Sequence, residues 1–214
     1  MDYLPVFLDL RARGVLLVGG GKVALRKSEL LAEAGARIDV CAPEVLPDLA
    51  SRAVASGGVV RHEVFHPGVI ADHALVFVAT GVPEVDRAVH GAARSRGIPV
   101  NVADVPGLCD FILPAIVDRS PLIAAFSTGG KAPVLARWLR ERLETSMPAA
   151  IGRVAAFLGA RRDRIREGVP DPVQRLRVWE GLVDGPVSER VLAGDEAGAD
   201  VLLQDFSGLS LWLL

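Results

Sequence analysis

The sequence predicts an α/β protein: a parallel sheet first, a small α+β region next, and a helical C-terminal part. Three observations carry this. Short apolar runs alternate with helix-length segments over roughly the first half of the chain, the pattern of βαβ crossovers. A glycine turn, Gly19-Gly20-Gly21, separates the first apolar run from the first helical pattern. Further on, two apolar runs share a short polar turn, and everything beyond Met147-Pro148 reads as helices with polar loops.

Val15-Leu16-Leu17-Val18 is the first strand, ended by the glycines. The first helix runs from Lys22 to Ala34, with Val23, Leu30, Leu31 and Ala34 at helical spacing and Gly35 as its stop. Residues 38–42 form the second strand, closed by Pro43, and residues 59–65, of mixed polarity, the third. Leu75-Val76-Phe77-Val78-Ala79 is continuously apolar, as a strand covered on both faces should be. Pro83 suits the first turn of a helix carrying Val85, Val89, Ala92 and Ala93 and stopped by Gly97. Residues 99–103 form the fifth strand. Residues 111–117 and 121–127 predict two strands joined through Asp118-Arg119-Ser120. Pro133 opens a helix with Leu135, Trp138, Leu139 and Leu143 on one stripe. Arg153, Arg161, Arg162, Arg164 and Arg166 crowd one further helix, and Val169-Pro170-Asp171-Pro172 links it to a helix over 174–182.

Composition excludes several classes. The 214 residues are 50% hydrophobic and 23% charged, enough apolar material for a core. A formal net charge of −2 and a pI near 6.1 argue against a whole-surface grip on nucleic acid. Two cysteines, Cys41 and Cys109, cannot build a disulfide scaffold and fit a reducing, cytoplasmic compartment. The start, Met1-Asp2, is acidic and unlike a signal peptide, and no apolar run is long enough to span a membrane. Residues 209–214 are apolar but far too short for a span. Neither nucleic acid nor membrane is an expected partner.

Gly19-x-Gly21-x-x-Ala24 follows a strand and opens a helix, the context a dinucleotide-binding turn requires. Gly19 permits the tight turn, Gly21 a close approach of backbone to pyrophosphate, and Ala24 close helix–sheet packing. The helix start at Lys22 and Val23 offers N–H groups and partial positive charge. A Rossmann-type sheet is therefore expected, with cofactor contacts at Gly19, Gly20, Gly21, Lys22 and Val23. A glycine turn without a ligand is the alternative. Cys41-Ala42-Pro43 occupies the second strand tip, with Asp39 inside the strand and Glu44 just beyond, so Pro43 and Glu44 are candidates for the ribose end. No arginine follows that tip, which leans towards NAD and leaves NADP open. Thr80 and Asn101-Val102 fall at the edge where doubly wound sheets bind ligands; a helix-capping threonine and an ordinary strand asparagine are the alternative.

Asp104 lies just past the fifth strand at the same edge. A carboxylate there could act as a general base beside the nicotinamide; a turn aspartate bonding its own backbone before Pro106-Gly107 is the alternative. Asp110 is a second carboxylate close by. Ser127-Thr128-Gly129-Gly130-Lys131 offers hydroxyls, backbone N–H groups and a cation to an anion, or is a plain turn; it lacks Walker spacing. The arginine-rich helix could meet a polycarboxylate or be a solvated face. The four histidines form no metal constellation and neither cysteine has a CxxC partner, so no resident metal is expected. Residues 112–127 and the Leu135, Trp138, Leu139 stripe are more apolar than a small layer should leave exposed, which predicts a homodimer.

Taken together, these residues resemble a known family. LPVFLDL over 4–10, LLVGGGKVALRK over 16–27, and the segments 101–104, 109–112, 114–115, 118–122 and 127–137 are similar to the precorrin-2 dehydrogenase domain of sirohaem synthases. The likeness covers residues 1–148 and extends more loosely through Trp179. It implies an NAD-binding Rossmann domain over 1–112, a dimerisation region over 113–147 and a helical domain over 148–214. It implies NAD-dependent oxidation of precorrin-2 to sirohydrochlorin, in many members followed by insertion of Fe²⁺ as a substrate. The tetrapyrrole is then the small-molecule partner. The family's essential aspartate falls on Asp104 and its hydroxyl before Gly-Gly on Thr128, which makes Ser127, Thr128 and Lys131 substrate-binding candidates. Family members often carry Thr-Asp-Asp after strand four; this chain has Thr80-Gly81-Val82, with Asp86 further on. Fused members continue into a methyltransferase domain, and without one, methylation is expected of another protein. The competing class is a non-catalytic dinucleotide sensor, which has no need of a base facing the nicotinamide.

Overall fold

Five short strands, all but the two-residue edge strand mostly buried, build one parallel sheet. They are β1 (Gly14–Val18), β2 (Arg37–Cys41), β3 (Val60–Arg61), β4 (Leu75–Val78) and β5 (Val100–Val102). The order is β3-β2-β1-β4-β5, every pairing parallel, so the expected Rossmann-type sheet is present. The computed structural model describes residues 2–207 in two compact units, the first closing at Leu113 and the second beginning at Pro114. The apolar residues 209–214 lie outside the described residues.

β1 and β4 are buried along their whole length because both sheet faces are covered. α1 (Lys22–Glu33) and α2 (Pro47–Ala55) cover one face, packing Ala24, Leu31, Leu49 and Ala53 on Leu17, Ile38 and Phe77. α3 (Pro83–Arg94) covers the other, packing Val89 and Ala93 on Val76, Val78 and Val100. Right-handed crossovers dictate the split: α1 and α2 join strands added in one direction, α3 strands added in the other.

Three features of the first unit differ from the sequence reading. The inward line of α1 is Ala24, Ser28 and Leu31; Ala34 is exposed and Val23 half-buried. Close helix–sheet approach selects small residues, and Ser28 satisfies its hydroxyl on the Leu25 carbonyl at 2.7 Å, so of the expected apolar line only Leu31 is buried. β3 keeps two residues of the expected seven-residue run 59–65, because an edge strand has only one neighbour and polar His62 and Glu63 gain nothing from staying in the sheet. α2 had no counterpart in the reading; its buried residues are only Leu49 and Ala53.

The second unit opens with a hairpin, β6 (Ala115–Arg119) against β7 (Leu122–Phe126), with Arg119 opposite Leu122. Asp118 and Arg119 therefore belong to the strand and the turn shrinks to Ser120-Pro121. Asp118 closes it by accepting from the Ser120 amide at 2.7 Å and hydroxyl at 2.6 Å. α4 (Pro133–Ser146) ends at Met147, as its Pro148 requires. Among the described residues five helices follow: α5 (Ile151–Ala160), α6 (Arg162–Gly168), α7 (Pro172–Val183), α8 (Pro186–Ala193) and α9 (Glu196–Ser207). The arginine run is split between two of them. The break is Arg161, whose guanidinium lies 3.5 Å from the Phe157 ring centroid and donates to Asp200 at 2.7 Å. Phe157, Ile165, Leu182, Val187 and Val191 form the core of this helical part. Among the described residues no helix is long and apolar enough to cross a membrane.

Candidate cofactor and active site

The chain leaves β1 at the switch point beside β4, and the three glycines there have different duties. Gly19 has φ +125°, and a Cβ on it would lie 2.4 Å from the Ala79 carbonyl oxygen. A Cβ on Gly20 would lie 1.8 Å from the Glu44 carbonyl oxygen. These two hold the turn against its neighbours. Gly21 has nothing within 4 Å of a Cβ, is exposed, and is the N-cap of α1. Among the described residues no side chain caps that helix, so the first-turn amides of Lys22 and Val23 keep their donors for a ligand. Open volume in front of uncapped amides at the positive end of a helix fits a pyrophosphate.

The strand tips gather around this turn. The Gly19 amide donates to the Cys41 carbonyl at 3.0 Å, and the Ala103 amide to Val78 at 2.9 Å. Pro43 and Glu44 are exposed beyond β2. Asp39 is not at the tip: its carboxylate takes the buried His73 ring at 3.0 Å and the Val59 amide at 2.9 Å. Arg61, paired with Cys41 across β2 and β3, is exposed beside the tip. Thr80 uses its hydroxyl at the start of α3, accepting from the Val82 amide at 3.0 Å and donating to the buried carboxylate of Asp86. The Val102 side chain lies in the core under α3, which leaves its main chain at the edge.

Asp104 stands two residues past β5 with φ +61°, a conformation uncommon for a residue with a Cβ. Its side chain is exposed, and among the described residues its carboxylate makes no hydrogen bond. The self-bonding turn aspartate is thus not what the chain builds here. Asp110 sits at the other end of β5, accepting from the Val100 amide at 3.1 Å. Sequence reasoning missed Lys27. Its Nζ donates to Asn101 Oδ1 at 3.0 Å and lies 5.3 Å from the Phe77 ring centroid. Burial pulls its pKa below the ordinary lysine value, while Cys109 and Asp104 act the other way. A lysine following an arginine in a helix carries no sequence signal of this placement.

In the second unit, Ser127 Oγ accepts from the Gly129 amide and Thr128 Oγ1 from the Ala132 amide, each at 3.0 Å. Both hydroxyls act as acceptors in these bonds and retain a hydrogen to donate. Gly129 and Gly130, at φ +62° and +80°, carry the turn, and Lys131 is exposed. The arginines Arg162, Arg166 and Arg175 line a cleft of about 380 Å³ with Asp163 and Trp179. Among the described residues no group of three His, Cys, Asp or Glu could hold a metal ion.

Three family models match the chain. One described as NAD(P)-binding covers residues 6–115, "Sirohaem biosynthesis protein central" covers 125–146, and "Sirohaem synthase dimerisation region" covers 150–205. Proteins named siroheme synthase from Pseudomonas paraeruginosa, Nitrosomonas europaea and Methylobacillus flagellatus are 47%, 48% and 48% identical over 96%, 94% and 95% of this chain. The matches cover 44%, 43% and 44% of those proteins, so the chain spans less than half the length of these relatives. A solved structure named "SirC, precorrin-2 dehydrogenase" has a TM-score of 0.73 at 22% identity, covering 95% of this chain and 100% of that one. That likeness shows a shared fold.

Proposed function

This chain belongs to the sirohaem synthase family, in its precorrin-2 dehydrogenase part, and from that premise we propose that it oxidises precorrin-2 to sirohydrochlorin with NAD. The observation that carries the reading is the uncapped start of α1 at Gly21, open to a ligand at the sheet's switch point. NAD supplies a hydride acceptor when bound. Gly19 and Gly20 shape the turn, and the amides at Gly21, Lys22 and Val23 hold the pyrophosphate. Pro43 and Glu44 border the ribose; Glu44 favours NAD by repelling a 2′-phosphate, and acts against Arg61, which stands beside the same tip. The main chain at Thr80 and Val102 borders the nicotinamide. Oxidation also releases a proton, and Asp104 has a carboxylate free to accept it at the same edge. Ser127, Thr128 and Lys131 supply donors for the carboxylates of the substrate.

Fe²⁺ insertion into the product is the second reading, favoured by the same free carboxylate, since metal insertion also needs an acceptor for pyrrole N–H protons. Fe²⁺ enters as a substrate. We further propose a homodimer. Leu135 and Trp138 on α4 are 48% and 47% exposed, an apolar face a second copy would cover. Contacts are assigned both to the region over 113–147 and to the helices that the dimerisation model matches at 150–205.

The test is anaerobic incubation of the protein with precorrin-2 and NAD⁺, followed optically. Sirohydrochlorin and NADH should form in equal amounts, and NADP⁺ should serve poorly. Absence of both products overturns the reading. Addition of Fe²⁺ should then convert the sirohydrochlorin spectrum to that of sirohaem faster than without protein.

A further inference from the structure

The crossovers leave part of the sheet in the first unit without a helix of its own. α1 and α2 pack over β1 and β2 on one face, and α3 packs on the other. On the α1 side of β4 and β5 lie Phe77 and Asn101, neighbours in the parallel register. Phe111 meets Phe77 edge-on there, with ring centroids 5.3 Å apart. Lys27 reaches this place from α1.

An ammonium carries three N–H donors. Lys27 gives one to Asn101 Oδ1 at 3.0 Å and stands over the Phe77 ring. Among the described residues it has no second acceptor and no paired carboxylate. Asn101 is itself fixed, because its Nδ2 donates to the Phe111 carbonyl at 2.9 Å. The side chain is half-buried, and its burial disfavours the charged form. A partly dehydrated ammonium with idle donors is unfavourable until an anion completes it. The anion is not the cofactor's pyrophosphate, since the ammonium is held at Asn101 on β5 and over Phe77 on β4, away from the amides of Lys22 and Val23 that open α1. It is on the Asp104 side: Asn101 precedes Asp104 by three residues, and the Asp104 carboxylate acts electrostatically on the ammonium.

We propose that Lys27 binds a carboxylate of the tetrapyrrole and so anchors the substrate beside Asp104. The inference rests on the function proposed above, which supplies a ligand with eight carboxylates. A purely structural strut between α1 and β5 is the competing role. The two separate by what Lys27→Met changes.

The experiment titrates the full chain with sirohydrochlorin under anaerobic conditions, reading tetrapyrrole fluorescence, and with NAD⁺ in parallel. Lys27→Met should weaken sirohydrochlorin binding about tenfold or more, the worth of a hydrogen bond to a charged group. NAD⁺ affinity should stay, and Lys27→Arg should recover most of the loss. With precorrin-2, KM should rise while kcat stays within about twofold. A strut would instead lower the melting temperature and shift both ligands together, and that result overturns the proposal. Sirohydrochlorin binding unchanged in folded Lys27→Met also overturns it, while leaving the dehydrogenase reading intact. Wild type that binds sirohydrochlorin but does not oxidise precorrin-2 sinks the dehydrogenase reading alone. No binding by wild type sinks both. Should Lys27→Met fail to fold, Lys27→Gln keeps a donor without the charge and is held to the same comparison.

Discussion

Gly21→Asp should raise stability and weaken cofactor binding together. The backbone of Gly21, at φ −91° and ψ −169°, is extended and open to any residue. A Cβ there meets no atom within 4 Å, so nothing in the protein opposes the side chain. The position is an N-cap that no described side chain fills; aspartate there is worth a few tenths of a kcal/mol over glycine as a cap, and replacing glycine at a compatible backbone adds about 0.5 kcal/mol by restricting the unfolded chain. That should raise the melting temperature of the first unit by roughly 2–4 °C. The same carboxylate stands where the pyrophosphate would bind. One unit charge against another at ~5 Å and an effective dielectric of ~20 costs about 3 kcal/mol, a loss of ~10²-fold in affinity. Calorimetric titration with NAD⁺ and a thermal melt measure both. Gly20→Ala is the contrast: its Cβ would sit 1.8 Å from the Glu44 carbonyl oxygen, so it should cost about 3 kcal/mol in stability. Gly21→Asp protein that binds NAD⁺ like wild type would refute the pyrophosphate placement. A lower melting temperature would refute the reading of the cap.

Asp104→Asn should keep NAD⁺ affinity and slow precorrin-2 oxidation by ~10²-fold or more, and an unchanged rate would end the general-base role. Asp104→Gly should lose the same activity yet gain about 1 kcal/mol, because φ +61° suits glycine; a chemical melt decides. Thr80→Val should cost about 2 kcal/mol by leaving the buried Asp86 carboxylate without its donor, with little effect on NAD⁺; loss of NAD⁺ binding at unchanged stability would place Thr80 on the cofactor instead. Light scattering should return twice the 22.7 kDa chain mass, and Trp138→Glu should shift it towards the monomer; a monomer in the wild type refutes the dimer.

The sheet was legible because each strand is a short unbroken apolar run and the chain marks its reversals with glycine and proline. Gly19, Gly35 and Gly97 all have positive φ, where a Cβ is disfavoured, so turn chemistry was written in the residues themselves. Legibility faded wherever one residue had several uses. Asp118 and Arg119 look like turn residues, yet an exposed hairpin strand tolerates them and Asp118 closes the turn from within the strand. The arginine run looks like one helix because arginine is a good helix former. At the break, Arg161 is tied to Asp200, 39 residues away, a partner no local stretch reveals.

The candidate site divides along the same line. The glycine turn acts through backbone, and backbone demands are visible as residue types. The rim acts through side chains whose partners depend on strand register. Asp39 and Glu44 read alike as acidic residues near a strand tip, but register places Asp39 against His73 and leaves Glu44 exposed. Arg61 reaches the same tip from β3, and only the pairing of Cys41 with Arg61 reveals it. Lys27 is the extreme case. By composition it is one more cation on a helix, and by periodicity it flanks the buried Ser28. Its ammonium nevertheless stands over Phe77 on β4 and bonds Asn101 on β5, because the right-handed crossovers carry α1 over one half of the sheet and α3 to the other face. The chemistry available to this lysine therefore follows from the handedness of the crossovers, a property of the whole sheet that no local stretch of sequence contains.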